Sequence, residues 1–404
     1  MIQYWMEIIQ SFLFTSKYIL NKGGNYDLYF LFAAILVVVF FIKDRKSILD
    51  IVKFWSVFAV LGIVMILCYP NVDILRVGIY EAKLGLCVSV MIYFRNYYYQ
   101  FNWNAFAVAS SIILGVETIG ACIYKVEGIW RLNDVTNGFS KVRLMLTYIE
   151  PSELSFHAAL LILYFLYVMY ISKKNINVMN LIGLVVAVAD LVLSMGMGGI
   201  VSLTVAIIVF LIVETIIVLR DKSLMNRRKL ILVVDAACLV TGTFGTLLLV
   251  LMKSSLTQRV VAILTLKDPS FNNRYWESLS CVLKMFRVTQ MRGFGFGNTG
   301  TEYALNTLEK LYIYPNSFFT FINEAGIFAV IILSVSFVFI VVKCIQKKDA
   351  FSLCLWAYIF IYQIPGGYFT NPINFMVYGI ILGRLFGKKQ MVESKQAVAE
   401  QSNG

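Results

Sequence analysis

The chain has 404 residues, of which 59% are hydrophobic and 14% charged, with a mean hydropathy of +0.77 and a formal net charge of +12. A soluble domain is about one-quarter charged, so this composition excludes a soluble globular protein and indicates an all-α, polytopic membrane bundle. The basic surplus belongs to loops that flank spans, not to a nucleic-acid surface. The single histidine excludes a multi-histidine metal site. The seven cysteines lack C-x-x-C spacing, and Cys87, Cys238 and Cys354 stand inside apolar runs, so they read as small core residues. No metal, cofactor or nucleic acid is expected.

The N-terminal MIQYWMEIIQSF has neither the basic start nor the small-residue cleavage site of a signal peptide. Residues 2–21 are apolar but carry Glu7 and Lys17, which leaves a spanning and an interfacial helix both open. Runs near 26–42, 53–70, 75–93, 104–124, 151–172, 180–196, 198–219, 229–252, 316–343 and 351–386 approach the length of a membrane span. Pro365, Gly366, Gly367, Asn371 and Pro372 divide the last run, for about 11–12 spans in all. Lysine and arginine clusters at 43–46, 173–174, 220–229, 347–348 and 388–389 all fall on one face, taken as cytoplasmic.

This reading divides the chain into spans over 1–252 with an outer loop at 125–150, a large outer loop at 253–315, spans over 316–389, and a disordered cytoplasmic tail at 390–404. The large loop holds eight Lys and Arg against four Asp and Glu. A net-positive loop on the face that should be poor in basic residues needs an anionic partner or internal pairing.

Within RLMLTYIEPSELSFH, Pro151 suits the first position of a helix. Glu150 then sits at the outward end of a span, with Glu153 and His157 near the same face. An acid there that complements the helix dipole, beside a satisfied core histidine, is the simpler reading from spacing alone. SMGMGGI, from Ser194 to Ile200, fits a tight helical hairpin. WESLSCVLKMF places Trp276, Leu279, Leu283 and Phe286 on one face of an amphipathic helix. Arg274 and Arg292 flank that helix, and a guanidinium fork matches phosphate oxygens. RGFGFGN, ending at Asn298, is too weak a signal for a nucleotide loop without a Walker lysine. In YPNSFFTFINEAGIF, Asn316 opens a span and Glu324 lies inside it, where polar groups face a cavity or a neighbouring helix. The aromatic tract FRNYYYQFNWN at 94–104 suits a membrane interface.

In this order, the pieces resemble the O-antigen polymerase and O-antigen ligase superfamily of bacterial membrane glycosyltransferases. The likeness covers roughly residues 140–330: Arg143 with Glu150-Pro151-Ser152, Ser194 to Gly199, Arg274 with Trp276, Gly293 to Asn298, and Asn316-Ser317-Phe318 with Glu324 to Ile327. No single motif is specific; the ordered set is. The chain departs from the family in having Met197 where an arginine is common, Gln290 to Arg292 where a proline is usual, and Arg274 unusually close to Trp276. Pro315 stands where ligases carry histidine, which favours a Wzy-type polymerase over a ligase.

The resemblance implies chemistry at the outer face of the bacterial plasma membrane. Oligosaccharide repeats linked to undecaprenyl diphosphate would be joined there, in membrane lipid, for an O-antigen or a capsule. A chain-length regulator and a flippase are partners it also implies. On this reading Arg143, Arg274 and Arg292 hold diphosphate, Asn298, Asn316 and Glu324 line the substrate site, and Glu150 or, as an alternative, His157 serves the acceptor hydroxyl. A ligase is the near alternative. A lipid-linked oligosaccharide flippase is the alternative of a different class, but no internal repeat supports it.

Overall fold

The computed structural model describes residues 2–15, 28–69, 71–136, 139–171, 177–220, 265, 269–313, 316–366 and 369–387. The run at 229–252, the start of the large loop and the tail at 390–404 lie outside the described residues. The described chain is a helical membrane bundle. Its elements are α1 (Ile2–Thr15), α2 (Leu28–Lys43), α3 (Arg45–Cys68), α4 (Ile74–Asn96), α5 (Trp103–Ile123), β1 (Trp130–Thr136), β2 (Phe139–Leu144), α6 (Pro151–Ile171), α7 (Val178–Ser194) and α8 (Met197–Arg220). A turn at Pro269–Asn272 and a π-helical turn at Asn273–Glu277 then lead into α9 (Ser278–Val288). The rest are α10 (Glu302–Leu308), α11 (Ser317–Ala325), α12 (Ile327–Lys347), α13 (Ala350–Gln363) and α14 (Pro372–Phe386). Among the described residues, α3, α4, α5, α6, α8 and α12 are long and apolar enough to cross a membrane.

Side-chain caps fix where many of these helices begin. Asp44, Asp73, Asn102, Asn177, Asn316, Asp349 and Asn371 each accept a hydrogen bond from a backbone N–H in the first turn of the helix that follows. Each satisfies a donor that the helix leaves orphaned. α14 lies along α4, α13 along α8, and α6 between α7 and α8. The main core joins Phe14, Phe94, Leu114, Phe156, Phe165, Tyr358 and Ile381.

The two ends of the bundle differ. At one end the basic flanks of α2, α3 and α12 lie beside the α4–α5 loop, tied by Tyr97 Oη to Asp44 at 2.8 Å and Arg95 to Asp50 at 3.6 Å. At the other, β1 and β2 form an antiparallel hairpin with Trp130 opposite Leu144 and Arg131 opposite Arg143. The outer loop expected at 125–150 therefore contains strands. The run at 351–386 is two helices, as its prolines and glycines predict. The run at 316–343 is also broken, at Gly326, whose φ of 58° ends α11 before α12 starts.

Candidate active site

Glu150 stands immediately before α6, which opens on Pro151, and the Ser152 hydroxyl donates to Glu150 Oε2 at 2.9 Å. Arg274 Nη2 approaches the same oxygen at 3.9 Å, with the arginine side chain 26% exposed and the glutamate 48%. Arg274 is carried on the π-helical turn, a rare form that often marks a functional position. Its Nη1 donates to the carbonyl of Pro365 at 2.6 Å. The backbone of that turn is held from α11: Asn316 Nδ2 donates to the Arg274 carbonyl at 3.1 Å, while Asn316 Oδ1 accepts from Phe319 N at 3.0 Å. Asn316 is fully buried, and both ends of its amide are in use.

Arg143 reaches the same region from β2. It is buried, and donates from Nε to the Ser194 carbonyl at 3.0 Å and from Nη2 to the Met195 carbonyl at 3.5 Å. Those carbonyls end α7, where a cation also meets the negative end of the helix dipole. The following turn is wedged against α6 and the α13–α14 break. A Cβ at Gly199 would lie 2.5 Å from Ser155 Oγ, and one at Gly198 would lie 3.2 Å from Pro365 Cγ. Only glycine permits that approach to Ser155. Arg143, Glu150, the Ser194–Gly199 turn, Arg274 and Asn316 thus meet at the hairpin end, joined through Pro365.

The remaining expected residues lie elsewhere. Arg292, Asn298 and Glu324 form a second group near the far end of α11, about 12 Å from Asn316 at 1.5 Å per residue. Here the glycine-rich turn is a clasp. Phe294 N and Gly295 N donate to the carbonyls of Asn323 and Glu324 at 2.8 and 2.9 Å, and Gly297 N donates to Glu324 Oε1 at 3.1 Å. Those N–H groups are spent on α11 and are not presented to a phosphate. Asn298 Oδ1 accepts from Asp73 N at 2.9 Å. The Tyr69 hydroxyl donates to the Arg292 carbonyl at 2.5 Å, and burial raises the pKa of that hydroxyl against the opposing charge of Arg292. The Arg292 guanidinium is exposed and donates to Gln290 Oε1 at 3.3 Å.

His157 is a core residue here, 1% exposed and stacked on Phe14 at 4.2 Å. Its Nδ1 lies 2.8 Å from the Tyr148 hydroxyl and 3.0 Å from the Phe14 carbonyl. Tyr148 also donates to that carbonyl at 3.0 Å, and Thr147 Oγ1 donates to the Thr15 carbonyl at 2.8 Å. The last turn of α1 thereby anchors the segment that leads into Glu150. The amphipathic helix is present as α9. Its packed face is Ser278, Cys281, Val282 and Met285, whereas Trp276 and Leu283 are 46% and 60% exposed. Beside a bilayer, apolar residues need not face the protein core, so periodicity alone does not identify the packed side.

Three partners of the site were not foreseen: Ser152 as donor to Glu150, the carbonyls that end α7, and Pro365. Proline and glycine at 365–366 signalled a helix break but not its neighbour. Among the described residues, no three His, Cys, Asp or Glu side chains are grouped to hold a metal ion. Comparison with protein-family models, with curated proteins and with solved structures gives no match.

Proposed function

We propose that the protein is a polysaccharide polymerase that joins undecaprenyl-diphosphate-linked oligosaccharide repeats at the outer face of the bacterial plasma membrane. One observation carries the reading. Arg143, Glu150, Arg274 and Asn316, from segments far apart in sequence, meet at the end of the bundle opposite its basic flanks. The positive-inside rule puts those flanks in the cytoplasm and the cluster outside.

The cluster sets a cation beside a carboxylate, which suits transfer of a glycan from a diphosphate carrier to a hydroxyl. Ser152 and Arg274 both engage Oε2 of Glu150, which leaves Oε1 to accept the proton of an acceptor hydroxyl. That oxygen attacks the anomeric carbon of the donor glycan. The bond from that carbon to the diphosphate breaks, and its electron pair leaves with the polyprenyl diphosphate. Arg274 stands where that charge develops, and fixed cations of this kind act by electrostatic stabilisation. Its Pro365 partner is a neutral carbonyl, which orients the guanidinium without cancelling its charge.

A deletion strain tests the assignment through the glycan left on the carrier. The polymerase reading expects single repeats exposed on the outer face. Long carrier-linked chains would point to a missing ligase, and single repeats held on the cytoplasmic side to a missing flippase; either result overturns the proposal.

A further inference from the structure

Lys83 is exposed, nine residues into the candidate span formed by α4. That places its Cα about 13 Å below the first residue of the helix. Among the described residues it has neither ion pair nor hydrogen bond. A lone ammonium near the centre of a span is costly and calls for an anionic partner. Glu81 is close in sequence but faces the other way: it is buried against α3, where a Cβ at Gly62 would lie 2.7 Å from its Oε1.

The local shape shows what could neutralise Lys83. Helical side chains lean toward the helix N-terminus, which for α4 is the hairpin end, so the lysine stem carries its ammonium toward that membrane surface. Arg76 is two turns nearer the surface on the same face, about 10 Å away. It is 46% exposed and 3.4 Å from Asp73. Ile79 is exposed beside them, and Gly78 and Ala82 are exposed further round the helix. Lys83 and Arg76 therefore lie along one exposed edge of α4, two turns apart. The glycine clasp adjoins its Arg76 end: a Cβ at Gly297 would lie 3.0 Å from the Arg76 carbonyl, and one at Gly300 3.8 Å from Arg76 Nη1.

We infer that this face of α4, from Arg76 to Lys83, is a binding site for the phosphate of an anionic membrane lipid. Two sources carry that chemistry: a phospholipid headgroup, and the diphosphate of a polyprenyl carrier. The site is separate from the Arg274 cluster and does not depend on the polymerase reading.

The test uses the full chain in phosphatidylcholine vesicles, with spin-labelled phosphatidylglycerol and phosphatidylcholine as probes of the lipid shell. The wild type is expected to select phosphatidylglycerol. Lys83→Met is expected to lower that selectivity about fivefold, the usual effect of one basic residue on anionic lipid. Arg76→Met removes the second cation of the edge and is expected to lower it as well. Displacement of the probe by equimolar undecaprenyl diphosphate would identify the carrier as the natural source. Displacement only by excess unlabelled phosphatidylglycerol would identify the phospholipid. Equal association of the two probes with the wild type, or selectivity that survives both substitutions, overturns the inference and leaves Lys83 to a protein partner.

Discussion

Arg274 and Arg384 stand at opposite ends of the bundle, and their partners differ in kind. Arg384 is locked. Its Nε and Nη2 fork onto Asp349 at 3.1 and 2.8 Å, Tyr98 and Tyr167 accept at 3.0 and 2.9 Å, and the rings of Tyr167 and Phe351 each lie 5.0 Å from the guanidinium carbon. Asp349 in turn accepts from Ser352 while capping α13. Arg274 is held by a neutral carbonyl and, at 3.9 Å, by a half-exposed carboxylate. A charge cancelled inside a network serves the fold, whereas a charge oriented but not cancelled remains available to a ligand. Substitutions at the two ends should therefore separate activity from stability.

The largest effect is expected from Glu150→Gln, which keeps the shape and removes the charge. If Glu150 accepts the acceptor proton, polymer formation in membranes falls roughly 10²–10⁴-fold with protein level unchanged. A loss of only a few fold would return Glu150 to the role of helix-dipole complement, worth about 0.3–1 kcal/mol.

Arg274→Ala follows, with an expected loss of about 10²–10³-fold, the range for removal of one preorganised donor. Arg274→Lys should also be impaired, because an ammonium cannot reproduce the guanidinium fork. Elongation assays beside detergent thermal unfolding would check this; a large drop in stability would show that Arg274 is structural after all.

Arg384→Met should do the reverse. Removing one member of a buried pair costs about 3–5 kcal/mol, while activity per folded molecule is retained. Unchanged unfolding would mean that the contrast between the two ends is false.

A smaller effect is expected from pH. Burial raises the Asp349 pKa, but hydrogen bonding and charge from Arg384 outweigh it, so the carboxyl titrates below its ordinary 3.8. A lowered folded-state pKa supplies stability above the unfolded value, and that stability is lost as pH falls through the folded one. Unfolding temperatures should therefore fall below about pH 4 in the wild type, and less steeply in Asp349→Asn. Ser152→Ala is the mildest change, expected to slow elongation by roughly 2–10-fold through loss of one hydrogen bond.

Local features were the legible ones. Pro365 and Gly366 announced the break between α13 and α14, and apolar length announced the spans. Asn137 and Gly138 stand between the two strands in sequence, a hairpin signal that could have revealed β1 and β2. Gly326 in Glu-Ala-Gly-Ile could likewise have marked the end of α11. The convergence itself was not legible from spacing. Arg274 meets Pro365 across 91 residues, and Asn316 meets Arg274 across 42. Such pairings depend on how the helices pack. The ordered set of motifs named Arg143, Glu150, Arg274 and Asn316 but gave no reason to separate them from Arg292, Asn298 and Glu324, which the structure places on the clasp.

The anchoring of Tyr148 by α1 has a practical use, because the imidazole in that anchor is the only one in the chain. Histidine-selective isotope labelling would give a single set of ring resonances, free of overlap even in a large detergent particle. Stacking on Phe14 should displace those resonances by ring current while the anchor holds. One spectrum of each Glu150 or Arg274 variant would then show whether the loop before the site is still seated, without a reporter group being added to the protein.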